Sequence, residues 1–172
     1  DLKEAQIRDG LHVFGQSPSG RLERDLAIAL ARVPRGEGPG EASLIRALAD
    51  DLKLGIDPLT AELGAAWTGP AWSARTIGQV VERLEALAAA MLDGLAEAPG
   101  PTSAAVMEVM GSTILQRLRA SGPAEMVALL DGLDGKFVRP GPSGAPSRGR
   151  LDVLPTGRNF YSVDNRAVPT QT

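Results

Sequence analysis

The chain has 172 residues, enough for one domain that buries most of a single core, and its 43 % hydrophobic and 23 % charged residues exclude global disorder. It contains no Cys, which fits a reducing compartment and removes thiol chemistry, disulfides and Cys-based zinc sites. No apolar run reaches the roughly 18 residues of a membrane span.

The net charge of −3 is unevenly spread. Five arginines (139, 148, 150, 158 and 166) against Asp152 and Asp164 give residues 139–172 a local charge of +3, which leaves −6 for the rest. A basic tail on an acidic body points to an anionic partner. Five arginines interleaved with Gly and Pro are too few for nucleic-acid binding. The opening "DLKEAQIRDGLH" has neither an initiator Met, a helix cap nor a signal-peptide pattern, and reads as the start of a piece of something longer.

Ile7, Leu11 and Phe14 lie at helical spacing, with Gly15 placed to end that helix. Ser17 or Ser19 is a candidate cap for a second helix carrying Leu22, Leu26, Leu30 and Val33, stopped by Pro34. Leu44, Ile45, Leu48 and Leu52 predict a third, ending near Gly55. Asp57-Pro58 reads as cap and first turn of a short helix through Leu63. The strongest stripe is Ile77, Val80, Val81, Leu84, Leu87, Met91, Leu92 and Leu95, which predicts the longest helix over 75–97, buried along Val81, Leu84, Leu87 and Met91. "APGP" (98–101) breaks it. Val106, Val109, Met110, Ile114 and Leu118 predict the next helix. Gly122-Pro123 then opens a separate one on Met126, Leu129, Leu130 and Leu133, capped by Gly135. Strand-like alternation is confined to Lys136–Val138. The expected fold is mainly α, an irregular orthogonal array of about six or seven helices over 1–138, followed by a non-regular Gly/Pro/Arg-rich segment over 139–172.

That segment carries Pro at 140, 142, 146, 155 and 169. "GPSGAPSRGR" has the composition of a linker, whereas Leu151, Val153, Leu154, Phe160, Tyr161, Val163 and Val168 supply apolar anchors that a solvated linker would not need. Ordered backbone is the expectation there, with Phe160 and Val163 turned inward. In "LPTGRNFYSVD" a turn at Pro155–Gly157 would expose the amides around Thr156–Arg158. Arg158 offers a planar fork suited to a carboxylate, and Asn159 both donates and accepts. The alternative is that Arg158 and Asn159 merely satisfy backbone carbonyls. No phosphate-cradling loop occurs, since "GLDGKF" lacks the spacing and the Ser/Thr. His12 is the one histidine, and metal sites normally need several ligands, so it is a weak metal candidate.

"KFVRPGPSGAPSRGRLDVLPTGRNFYSVDNRAVPT" (136–170) closely resembles the large subunits of the CobN-type cobaltochelatase family, which includes the H subunit of magnesium chelatase. "LKEAQIRDGLHVFGQ" (2–16) resembles it too. "GAPSRGR" and "NFYSVD" look like the cobalt branch. The resemblance implies a piece from the later part of a much longer, cytoplasmic subunit. That subunit would insert Co2+, as substrate metal, into the tetrapyrrole hydrogenobyrinic acid a,c-diamide for aerobic cobalamin synthesis. ATP would be hydrolysed by two AAA+-type partner subunits. Arg158 and Asn159, with Tyr161, Arg148 and Arg150, are then the candidate substrate contacts, and no catalytic residue is assigned. A piece without a phosphate loop or a cluster of metal ligands is expected to be inactive alone. A scaffold, or a docking surface for the motor subunits, remains the alternative role.

Overall fold

A computed structural model describes residues 13–36, 38, 40–69, 72–144, 146 and 150–159. The chain is mainly helical and divides into two compact units. One comprises 18–116 with 147–149, the other 1–17, 117–146 and 150–172. Among the described residues there is no strand, only the isolated bridges Ala66–Thr76 and Pro140–Asn159. The first expected helix lies almost wholly outside the described residues, and His12 lies outside them. Val13–Gln16 forms a turn closed by Gln16 N–H donating to Val13 O at 3.0 Å.

The unit over 18–116 is built from α1 (Gly20–Arg32), α2 (Leu44–Asp51), α3 (Ile77–Leu92) and α4 (Pro101–Val109). Helix α2 packs against α4 and α3, and α1 against α3. The core is aliphatic, as the scarcity of aromatics requires: Leu30, Leu44, Ile45, Leu48, Val80, Leu84 and Val106 are all buried. On α3 the buried stripe is Val80, Val81, Leu84, Ala88 and Met91, while Leu87 is only half-buried. Small Ala88 takes the inward position, so the stripe turns by one residue from the expected line. Thr76 caps α3, its hydroxyl accepting from Gln79 N–H at 3.3 Å.

Two features mark the C-terminal end of α2. At its C-terminus Leu54 N–H donates to Ala49 O at 2.9 Å and Lys53 N–H to Asp50 O at 3.0 Å, a Schellman closure with Lys53 at φ 54°. Its last residue, Asp51, caps a different helix: the carboxylate accepts from Thr102 N–H at 3.2 Å and from Ser103 N–H at 2.7 Å and Oγ–H at 2.6 Å. Pro101 at the first position of α4 and Gly100 before it offer no side-chain cap, so Asp51 supplies one from outside.

Residues 57–63 form a single turn, where a helix was expected. The Asp57 carboxylate does accept from Leu59 N–H (3.0 Å) and Thr60 Oγ–H (3.0 Å), as a cap would. It is also held by both Nε and Nη2 of Arg46, at 2.8 and 2.6 Å. That fork ties the turn to α2, and the chain does not continue as helix.

The largest departure from the sequence reading comes at 101–133. The two expected helices follow each other without a break, as α4, a π-turn at Met110–Ile114 and α5 (Leu115–Leu133), with Pro123 inside α5. At 19 residues α5, and not the helix over 77–92, is the longest described. From Arg117 onward it belongs to the second unit. Gly135 closes it as expected, with Lys136 N–H donating to Asp131 O at 2.8 Å and Gly135 N–H to Gly132 O at 3.1 Å.

Candidate functional site

In the second unit α5 carries the segment that the sequence singles out. The Schellman end of α5 turns the chain into Lys136–Pro142. A short 3₁₀ turn, Leu151–Val153, then leads into Leu154–Asn159. These two stretches pair once, Asn159 N–H donating to Arg139 O at 3.0 Å and Gly141 N–H to Asn159 O at 3.2 Å. Gly141 is needed where it stands, because a Cβ there would collide with the side-chain stem of Arg158. The V-x-P-G-P and L-P-T-G-R-N elements are therefore two halves of one arrangement.

Side chains of α5 fix the L-P-T-G turn. Thr156 N–H donates to Ser121 Oγ at 3.1 Å, and Thr156 Oγ1–H donates to Glu125 Oε1 at 2.5 Å. Gly157 (φ 85°) lies so close to the helix that a Cβ would sit 2.5 Å from the carbonyl carbon of Ala124. Of the amides expected to be exposed, around Thr156–Arg158, that of Thr156 is thus already engaged within the chain.

Arg158 is half-buried and directs Nη1 at Asp152 O (3.3 Å) and Nη2 at Leu154 O (3.4 Å). Both distances are long for a charged donor. Arg150 forms a two-pronged pair with Asp152, Nε and Nη2 each 2.9 Å from a carboxylate oxygen. Hydrogen bonding to that carboxylate, then its charge, raises the Arg150 pKa. The same hydrogen bond, opposed by slight desolvation, lowers that of Asp152.

Arg158 and Asn159 line one open groove of about 550 Å³, whose other walls include Phe14, Leu129, Lys136 and Phe137. The volume is in the range of small-molecule sites. Phe137 and Phe14 are strongly exposed for aromatic residues, at 83 % and 55 %. Lys136 is paired with Asp134 at 2.9 Å, and hydrogen bonding to that carboxylate, reinforced by the charge of Asp131, raises its pKa. The groove thus combines aromatic and aliphatic surface with two cations and an amide. Of the expected contacts, Arg158 and Asn159 meet there, Arg150 is outside its lining, and Arg148 and Tyr161 lie outside the described residues, as do Phe160 and Val163. Sequence reasoning missed Lys136, Ser121 and Glu125. The signal for Glu125 was an acidic residue one turn before apolar Leu129 on the face of α5 that also carries Ser121. Among the described residues no group of three or more His, Asp or Glu side chains is placed to hold a metal, and no helix is long and apolar enough to cross a membrane.

In a mainly helical chain, the irregular segment thus contributes Arg158 and Asn159 to a groove edged by Phe14 and Phe137. All of it, residues 1–172, matches the CobN/Magnesium Chelatase family model, and the chain belongs to that family. It is 53 % identical to the aerobic cobaltochelatase subunit CobN of Pseudomonas aeruginosa over 100 % of its length and 15 % of that protein. It is 48 % identical to the Sinorhizobium sp. counterpart over 99 % of its length and 16 % of that protein. The catalytic subunit of cobaltochelatase from Mycobacterium tuberculosis superposes with a TM-score of 0.61 at 33 % identity, over 95 % of this chain and 13 % of that one. The chain therefore spans about a sixth or less of the relatives it matches. Matches to magnesium-chelatase H subunits cover only part of it.

Proposed function

We propose that this chain is part of the large, substrate-binding subunit of an ATP-dependent cobaltochelatase. The complete subunit would insert Co2+ into hydrogenobyrinic acid a,c-diamide in aerobic cobalamin synthesis, with two AAA+-type subunits hydrolysing ATP in the cytoplasm. The observation that carries this reading is the match over 100 % of the chain, at 53 % identity, to the Pseudomonas aeruginosa cobaltochelatase subunit. The partial matches to magnesium-chelatase H subunits make Mg2+ insertion into a porphyrin the less favoured branch.

Within that subunit the groove beside α5 would hold an edge of the macrocycle. A corrinoid precursor offers apolar ring faces and a rim of carboxylates and amides. Phe14 and Phe137 suit the faces, and Arg158, Asn159 and Lys136 suit the rim. Arg158 is available for the exchange because its two carbonyl contacts are long, and a carboxylate would form shorter, stronger, paired bonds. No described residue is assigned to metal handling.

The test is titration of the precursor into the complete subunit. Arg158→Ala should weaken binding by about 1.5–3 kcal/mol, the range for a hydrogen bond to a charged group. Arg158→Lys should keep only part of the affinity, since an ammonium cannot reproduce the fork. A second reading is favoured by the way Arg158 and Arg150 already serve Asp152 and Leu154 within the chain. In that case the segment is scaffold or docking surface. Normal precursor binding by Arg158→Ala, together with failed assembly with the ATPase subunits, would decide for docking.

A further inference from the structure

We propose that Glu125 is the positioning residue of this groove, using its two carboxylate oxygens to set the two walls against each other. The inference rests on the ligand-binding reading of the groove given above.

Glu125 is only 2 % exposed, although acidic side chains are rarely buried unless paired. Its Oε2 accepts from Gly15 N–H at 2.7 Å, and its Oε1 accepts from Thr156 Oγ1–H at 2.5 Å. The donors lie 110 and 31 residues away in sequence. Gly15 adjoins Phe14 on one wall, and Thr156 is two residues before Arg158 on the other. One turn further along α5, Leu129 also lines the groove. A single rigid carboxylate thus sets the spacing between an aromatic wall and a cationic wall.

The neighbouring contacts assist without duplicating it. Ser121 holds the amide of Thr156 while donating to Arg117 O at 3.1 Å, which fixes the height of the turn on the helix. The close approach of Gly157 to Ala124 allows the Thr156 hydroxyl to reach the carboxylate. A carboxylate has the acceptor capacity to serve both donors at once. A Gln side chain has one acceptor oxygen and an amide that must donate, so it can serve only one wall well.

The experiment uses the complete subunit, with hydrogenobyrinic acid a,c-diamide as probe and amide hydrogen exchange of 154–159 measured without it. Thr156→Val removes the hydroxyl at constant shape and keeps the amide bond to Ser121, so it remains informative if Glu125→Gln fails to fold. It should weaken probe binding about fivefold or more, with Thr156→Ser restoring it. In an Arg158→Ala background the same change should cost less than about twofold, because the group it positions is already gone. Exchange at Gly157–Asn159 should rise about tenfold in Thr156→Val. Equal losses in both backgrounds, or unchanged exchange, overturn the positioning role. Raised exchange with no effect of Arg158→Ala on the probe leaves the clamp standing and overturns the ligand reading beneath it.

Discussion

The hydroxyl of Ser17 donates to the carbonyl oxygen of Arg119 at 2.5 Å and accepts from Gly122 N–H at 3.1 Å. The reason is Pro123, which has no N–H to give the carbonyl four residues before it. A serine more than a hundred residues away in sequence takes the place of the missing donor, and α5 runs on through the proline. Ser17→Ala should therefore destabilise the chain by about 1–3 kcal/mol. The same change should cost distinctly less in a Pro123→Ala background, where the restored backbone N–H can donate to the Arg119 carbonyl directly. Urea denaturation of the four variants of this cycle measures the difference.

Leu84 is fully buried on α3, in the middle of the aliphatic core. Leu84→Ala should cost about 2–5 kcal/mol, whereas Leu87→Ala, at a half-buried position, should cost clearly less. Equal losses at the two positions would place the core on the wrong face of the helix.

These two sites also mark how far the sequence could be read. Helices α1 to α3 were legible because the forces that make them are local: apolar spacing, and Pro34 after α1. The cationic groove was half legible. Arg158 and Asn159 stand out by residue type, and Gly157 by its place in the expected turn after Pro155. What stayed hidden were partners brought from far along the chain. Pro123 looked like a break because nothing nearby reveals Ser17. The Thr156 amide looked free because nothing nearby reveals Ser121. Asp57 looked like a helix cap because its fork from Arg46 is set by packing. A sequence shows which polar groups need partners, and only the fold shows what supplies them.

Lys53 occupies the left-handed position that ends α2, at φ 54°. An L side chain there costs roughly 1–2 kcal/mol, and glycine avoids that cost but loses about 0.5–1 kcal/mol to chain entropy. The first effect is the larger. Lys53→Gly should raise stability by about 0.5–1 kcal/mol, read as a higher denaturation midpoint with an unchanged slope.

Acid should find the chain's weak points at Asp57 and Asp51. The Asp57 carboxyl is held well below the usual carboxylate range, chiefly by hydrogen bonds from Arg46. Burial opposes this, and Leu59 N–H and Thr60 add to it. At Asp51 burial pushes the pKa up, and the combined hydrogen bonds from Ser103 and Thr102 outweigh it, so the net direction is again down. A depressed folded pKa means stability that is present above the unfolded value of about 3.9 and is lost as pH falls through the folded value. Both residues therefore stabilise the chain at neutral pH and lose that contribution below about pH 4. The Arg46–Asp57 pair is more than a third exposed on both sides, so solvent screens it and its share is smaller than its shift alone implies. Asp51 sits at the N-terminus of α4, where a negative charge also meets the positive end of the helix dipole. Asp51→Asn should lower stability at pH 7 and flatten the fall between pH 4 and pH 2, because its amide oxygen still accepts but no longer titrates. Half-molar salt should shrink the effect of Asp57→Asn more than that of Asp51→Asn. Denaturation midpoints at pH 7, 4 and 3, with and without salt, check both statements. An acid limb of unchanged slope in Asp51→Asn would show that the capping carboxylate does not titrate with folding.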